Sequence, residues 1–380
     1  MRTIYLDHNA TTPLDPSIRE LLVSTFDDHW GNPSSIHHVG QRARSLLDDA
    51  RERIASVFSC RPSELIFTSG ATESANLAVF GAARALRDKG KHIITSAIEH
   101  HAVLHPCEYL ANSEGFDLTI LPVDSKGRVS VESLVSSFRD DTVLVSIMAA
   151  NNEIGTIQPV AELGSACRDR GVIFHTDAVQ WFGKLPFSNI SDFNADLVSL
   201  CPHKFYGPKG AGLLYSRSPF NPSPFIFGGA HENERRAGTE NLPAFLGMAT
   251  AIELFVKTPV FSHSSISPLT ELLISSLDSL NESIFLGDRD SSGRLFNTAS
   301  FAFPGHDSIS LLSSLDLDGI CASGGSACSS GSVTPSHVVS ALFPDSDISR
   351  SLVRFSLGNC SSFDDISSTI SSISSHFCTS

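Results

Sequence analysis

The sequence has no CxxC pair, no apolar run long enough to span a bilayer, no run of basic residues and no internal repeat. Each absence removes a class of function. Without paired cysteines, a zinc ribbon or a thioredoxin-like redox pair is not expected. A transmembrane helix needs about 20 consecutive apolar residues, so no membrane partner is expected. Lys and Arg number 27 against 41 Asp and Glu, a net charge of −14. That balance argues against a nucleic-acid surface, which requires a basic patch. The opening residues, MRTIYLDHNATTP, carry no apolar signal core, so the cytoplasm is the expected compartment. In that compartment the cysteines at 60, 107, 167, 201, 321, 328, 360 and 378 are expected to be free thiols. Most sit in apolar runs and read as small core residues. Cys328, in ASGGSACSSGSVTP, does not.

What is present is an ordinary globular composition, 41% hydrophobic and 18% charged over 380 residues, long enough for two domains. After an N-terminal segment read as irregular, apolar residues at 43, 46, 47, 50, 54 and 57 predict a helix over 41–58. Short apolar runs then alternate with helix-like stretches. ELIFTSG leads into a helix near 72–88, KHIITSA into one near 101–112, and TVLVSIM, after a loop, into one near 159–170; GVIFHTDA and DLVSLC follow. Continuous rather than alternating apolar runs suit strands buried on both faces, and the β–α alternation suits a mostly parallel sheet. The expectation is an α/β fold: a large domain (1–257) with a mostly parallel sheet between helices, and a smaller α+β C-terminal domain (258–380). The N-terminal segment is expected to pack on the smaller domain. A helix near 240–257 links the two, residues 257–268 have loop composition, and the order helix, strand, helix, loop, strand, helix is predicted from about 269.

Parallel sheets bind ligands beyond the carboxyl ends of their strands. Those ends carry, in order, Ala71-Thr72-Glu73-Ser74, Glu99-His100-His101, Asn151-Asn152-Glu153, Asp177 with Gln180, and His203-Lys204. Each has a plain alternative: a helix cap at Ser69 or Thr72, a capping aspartate, a solvated lysine. Five successive strand ends with polar groups argue for one ligand. An anion cradle, an imidazole, an amide, a carboxylate and an amine together fit pyridoxal phosphate. Its aldehyde takes the lysine, its pyridinium nitrogen the carboxylate and its phosphate the cradle.

With those residues in view, the chain resembles the cysteine desulfurases, of the class V aminotransferase group of fold type I pyridoxal-phosphate enzymes. The resemblance runs through YLDHNATTP (5–13), GNPSS (31–35), FTSGATES (67–74), EHHAVL (99–104), NNEIG (151–155), HTDAVQ (175–180), HKFYGPKG (203–210), RAGTEN (236–241), GSAC (325–328) and VRFSLG (353–358). It implies that Lys204 forms the Schiff base and that Asp177 pairs with the pyridinium nitrogen. Gln180 and Asn152 would contact the ring hydroxyl, and His100 would stack on the ring and act as acid and base. Ala71, Thr72 and His203 would hold the phosphate, with Cys201 at a position where the family usually has serine. Thr239 would reach the phosphate of the other subunit's cofactor, which implies a homodimer. Arg354 would clamp the substrate carboxylate. Lys209 is the rival lysine and is read as structural.

In the same resemblance Cys328 takes sulfur from L-cysteine as a persulfide, leaving L-alanine. The sulfur then passes to an iron–sulfur scaffold protein or another acceptor, and Cys328 would help ligate a transient iron–sulfur cluster. A persulfide carrier must move, and glycine and serine around Cys328 allow that. The other readings weighed are a selenocysteine lyase, a class V aminotransferase or kynureninase-like enzyme, and a non-catalytic sulfur-delivery partner. The GSAC loop argues against the second, and the joint presence of Lys204, His100, Asp177, Arg354 and Cys328 against the third.

Overall fold

The buried apolar runs become strands, and the amphipathic stretches between them become helices. The computed structural model describes residues 2–280, 283–325, 335–344 and 346–377, so Cys328 lies outside the described residues. The chain begins with β1 (Ile4–Tyr5), α1 (Pro16–Asp28) and α2 (His38–Phe58). There follow β2 (Leu65–Thr68), α3 (Ala71–Ala85), β3 (His92–Ser96), α4 (His101–Glu114), β4 (Asp117–Leu121), α5 (Val131–Ser137) and β5 (Thr142–Ser146). Next are α6 (Val160–Arg170), β6 (Ile173–Asp177), β7 (Leu197–Leu200), β8 (Gly212–Ser216), α7 (Leu242–Phe255) and α8 (His263–Asp278). The remainder is β9 (Ile284–Phe285), β10 (Thr298–Ala302), α9 (Ser308–Leu317), β11 (Ile320–Cys321), α10 (His337–Leu342), β12 (Leu352–Ser356) and α11 (Phe363–Phe377).

Among the described residues, β2 to β8 form a seven-stranded sheet in the order β2-β8-β7-β6-β5-β3-β4. It is parallel except for β8, which runs antiparallel to both β2 and β7. Alternate residues point to opposite faces of a strand, and here both faces are buried. Phe67, Ile94, Val145, Phe174, Val198 and Leu213 join the core under α2, α6 and α7. Their neighbours Ile66, Ile93, Leu144, Ile173, Leu197 and Leu214 join the core under α3 and α4. The chain leaves β3 for β4 on one side and returns to β5 on the other. That reversal opens a crevice at the carboxyl ends.

A second sheet, β12-β10-β9, is antiparallel and pairs Arg354 opposite Ser300. The N-terminal segment joins it: β1 pairs with β11, and Asp7 bridges to Ser356.

Two segments differ from the sequence expectation. Residues 16–28 are helical rather than irregular. Asp15 caps α1 by accepting the Ser17 amide at 2.9 Å, and Pro16 sits at the first helical positions, where its fixed φ suits the helix. Helix α8 starts at His263, inside the stretch read as loop. Burial of Ile266, Thr270, Leu273, Ile274 and Leu277 outweighs the broken bond at Pro268. The C-terminal part also carries more strands than expected, because β9 and β11, two residues each, are too short to show a period of two.

Gly212 on β8 packs directly against the turn that starts α3. A Cβ there would lie 2.5 Å from the Gly70 carbonyl carbon. Overpacking of this kind costs about 1–3 kcal/mol. Gly212→Ala is therefore expected to lower the unfolding midpoint in a denaturant titration. A midpoint equal to the parent's would show that the Gly70 turn yields freely.

Candidate active site

A cavity of about 480 Å³ opens at the carboxyl ends of the large sheet. Its floor begins at α3. Gly70 occupies the N-cap position and supplies no side-chain cap, so the first-turn amides of Ala71 and Thr72 stand at the positive end of an uncapped helix. Glu73, also on the wall, is neutralised. Burial disfavours its charge, but hydrogen bonds from Arg236 (2.7 Å) and Ser69 hold its pKa below the usual value. The helix end is thus left free to take an anionic group.

Opposite stands Asp177 at the end of β6. Its Oδ1 accepts the Val179 amide at 3.0 Å. Burial pushes its pKa up to about 6 in spite of that bond and of nearby Lys204. A carboxylate in this state gains from a cationic partner such as a protonated ring nitrogen. Lys204, in the short turn after β7, points into the same cavity. Its Nζ donates to the backbone carbonyls of Asn9 (2.9 Å) and Ala10 (2.7 Å). Beside it, His203 Nδ1 meets the Thr11 hydroxyl at 3.2 Å. Lys209 also lines the cavity but is exposed, whereas Lys204 is half-buried.

His100 caps α4. Its Nδ1 accepts the Ala102 amide at 3.0 Å, which leaves the ring proton on Nε2 in the neutral form. Burial, with Lys204 and neighbouring imidazoles, pulls its pKa down to about 4, so the ring is neutral at physiological pH. Gln180 and Asn152 complete the wall. Arg354, from the middle of β12, closes the cavity from the second sheet. Its Nη2 donates to Asp7 Oδ1 at 2.6 Å and its Nη1 to the Asn152 carbonyl at 2.8 Å, while Nε is buried without a partner.

Of the residues singled out in the sequence, Ala71, Thr72, His100, Asn152, Asp177, Gln180, His203, Lys204 and Arg354 all line this one cavity. Cys201 does not. It is fully buried beside the α3 N-terminus, and burial pushes its thiol pKa up to about 12. Thr239 lies in a separate depression with Arg44, Arg51, His231 and Glu240. Cys328 is outside the described residues. Two residues went unread in the sequence. Asn9 lies within a motif but had no role assigned. Lys184, a lone lysine in the apolar stretch VQWFGKLPF, was the one available signal of its kind.

Titration of the buried groups sets an expected pH dependence. Burial, the leading cause, lowers His8 and His100 to about 4 and His175 and His203 to about 3. Below the unfolded value near 6.5 the unfolded chain binds protons that these folded rings refuse, so stability falls as pH falls. Asp177, raised to about 6, and Glu99, raised to about 8, work in the opposite sense. The four imidazoles outweigh the two carboxyls. The thermal midpoint of the cofactor-free protein is expected to drop between pH 7 and pH 5, and a rise over that interval would contradict the burial of neutral imidazoles.

Comparison with known proteins places this geometry. Residues 4–368 match the family model described as aminotransferase class-V. The cysteine desulfurase IscS of Dictyoglomus turgidum is 45% identical over 370 residues, covering 97% of this chain and 93% of that protein. A solved NifS-like protein superposes with a TM-score of 0.91 at 35% identity, covering 99% of this chain and 100% of its own. A structure of SspA in complex with cysteine superposes with a TM-score of 0.80, also at 35% identity, over 94% of this chain and 99% of that one. The mostly parallel sheet flanked by helices is the fold these neighbours share. On the breadth of the family match and the identity to these relatives, the chain belongs to the class-V aminotransferases and, within them, to the cysteine desulfurases.

Proposed function

We propose that this protein removes sulfur from L-cysteine, using pyridoxal phosphate, and passes it on as a persulfide of Cys328. The observation that carries the reading is the placing of the Lys204 amine in one cavity with buried Asp177 and the uncapped end of α3. These groups fit the cofactor. The α3 amides would hold its phosphate, Asp177 its ring nitrogen, Gln180 and Asn152 its ring hydroxyl, and Lys204 its aldehyde carbon. His203 would border the phosphate and His100 the ring face. When bound, pyridoxal phosphate supplies an electron sink for the pair left on the substrate α-carbon.

In this reading Arg354 binds the substrate carboxylate. Its buried, unpartnered Nε and the Nη protons not used by Asp7 and Asn152 are the available donors. Lys204 Nζ takes the α-proton. The Cys328 thiolate attacks the substrate sulfur: a sulfur–sulfur bond forms, the carbon–sulfur bond breaks, and its electron pair ends on carbon, where a proton completes L-alanine. Neutral His100 carries its proton on Nε2, which makes it a donor in these transfers. A cysteine-bound structural relative supports L-cysteine as the substrate.

A homodimer is part of the proposal, with residues 1–257 as the cofactor domain and 258–380 as the domain carrying Cys328. Trp30, Ile36 and Phe227 are 76%, 91% and 81% exposed, and the Ser34–His231 contact at 3.4 Å brings their segments together beside the depression that holds Thr239. An apolar face of that kind suits a second copy, whose cavity Thr239 would reach. The sulfur acceptor is proposed to be an iron–sulfur scaffold protein or another thiol carrier. No described helix is long and apolar enough to cross a membrane.

Mass spectrometry after incubation with L-cysteine is expected to show one added sulfur on the peptide containing Cys328. Cys328→Ala should keep the cofactor absorbance and lose sulfide release in dithiothreitol down to the enzyme-free rate. Full activity of that variant would overturn the assignment. Arg354→Ala removes charged hydrogen bonds worth about 1.5–3 kcal/mol, so the KM for L-cysteine should rise by roughly ten- to a hundredfold.

A further inference from the structure

Lys184 is a lysine with its side chain 1% exposed, and no carboxylate pairs with it among the described residues. Its Nζ donates to Asn9 Oδ1 at 2.8 Å and to Gln180 Oε1, and the Phe261 ring lies 5.4 Å away. An apolar side chain would fill this site at less cost, since burying an ammonium without a counter-ion is expensive. Burial, with the cations of Lys204 and Arg354, accordingly pulls its pKa far down, against a small opposing effect of Cys201. Such a residue needs a use.

The use lies in what it does to Gln180. A primary amide has a donor end and an acceptor end, and either can face a ligand. Here the acceptor end takes a hydrogen bond from the Lys184 amine. One proton of the donor end goes to the Asn9 carbonyl at 3.0 Å. The second has no acceptor among the described residues, and Gln180 lines the cavity. We propose that Lys184 is a positioning residue: by holding Gln180 Oε1 it fixes the amide so that an N–H, never the carbonyl, is offered to the ring oxygen of the bound cofactor. This rests on the pyridoxal-phosphate reading above. A hydrogen bond donated to an oxygen favours its ionised form. Lys184 would thereby set the pH at which the bound cofactor changes its visible absorbance, a property distinct from turnover.

The test is a pH titration of the absorbance of the cofactor-loaded protein. Lys184→Met is expected to move the midpoint upward by roughly one pH unit, the size of one charge-assisted hydrogen bond. Lys184→Gln keeps a donor and should titrate like the parent. Gln180→Met should shift the midpoint as Lys184→Met does, and the double variant should add nothing further, because both remove one contact. An unchanged midpoint in Lys184→Met, an equal shift in Lys184→Gln, or additive shifts in the double variant would each overturn the proposal. Gln180→Met leaves the buried lysine in place, so an unchanged midpoint there overturns it even if Lys184→Met does not fold. Borohydride reduction of the parent and peptide mapping keep the two ideas apart: failure to find the cofactor on Lys204 would sink the cofactor reading itself, before any variant is compared.

Discussion

The site depends on one buried asparagine. Asn9 is 1% exposed, and each of its polar groups is engaged. Its amide donates to Ser356 Oγ, and its carbonyl accepts from Gln180 Nε2 and Lys204 Nζ. Its Oδ1 accepts from Lys184 Nζ and Asn297 Nδ2, and its Nδ2 donates to Thr298 Oγ1 at 2.9 Å and to the Asn152 carbonyl at 3.3 Å. Gln180, Lys184, Lys204 and Asn152 belong to the large sheet's loops; Asn297, Thr298 and Ser356 belong to the second sheet. A fully satisfied buried network is stiff, and leaving any member unpaired is costly. Asn9 therefore holds the two sheets in register at the point where Arg354 must face Lys204. The chain around it is stitched down in the same way. Thr12 bonds the His203 carbonyl with both its amide and its hydroxyl at 3.0 Å, and the Asp15 amide bonds the Tyr206 carbonyl at 2.9 Å.

That constraint explains how a chain of net charge −14 can present a cationic site. The cavity holds Lys204 and Arg354, which both donate to backbone carbonyls, and burial with these two cations pulls the pKa of neighbouring Lys184 down. The carboxylates nearby are spoken for or disfavoured. Asp7 is paired with Arg354, Glu73 with Arg236, and buried Asp177 and Glu99 are pushed toward their neutral forms. Local positive field comes from the arrangement of a few groups in one cleft, and the acidic surface elsewhere is screened from it by solvent.

Much of this was legible in the sequence, for a physical reason. Strands buried on both faces must be continuously apolar, so β3, β5, β6 and β7 announced themselves, and in a parallel sheet the residues after them have to face the ligand. His100, Asn152, Asp177, His203 and Lys204 were found by that rule. What escaped was set by tertiary contact. Helix α1 carries a short signal, Asp15-Pro16, within a segment whose apolar residues are spaced for packing on α7. Helix α8 runs through a serine-rich stretch with a proline, and only the burial of one face reveals it. Lys184 and Asn9 meet across 175 residues of chain, and no local pattern encodes such a pair. Cys201 reads as a cofactor contact by position, whereas the fold buries it fully, outside the cavity lining.

Arg354 also ties together the two described flanks of the segment that contains Cys328. That segment leaves the described chain after Gly325 and rejoins it at Pro335. On the entry side, Ser323 exchanges both backbone hydrogen bonds with Arg354, at 2.6 and 3.1 Å. On the exit side, the Ser336 hydroxyl caps α10 through the Val339 amide and donates to Glu153 Oε2, next in sequence to Asn152. Glu153 Oε2 also lies 3.5 Å from where a Cβ on Gly325 would sit, so one carboxylate borders both ends. Arg354 and Asn152 are themselves joined through the Nη1 bond to the Asn152 carbonyl. Arg354 of β12 is thus paired by its backbone with Ser323 and by its side chain with Asn152, the neighbour of Glu153. A shift of Arg354 on β12 would disturb the cavity wall and the Ser323 pairing together, and the antiparallel pairing with β10 along the buried length of that strand opposes such a shift.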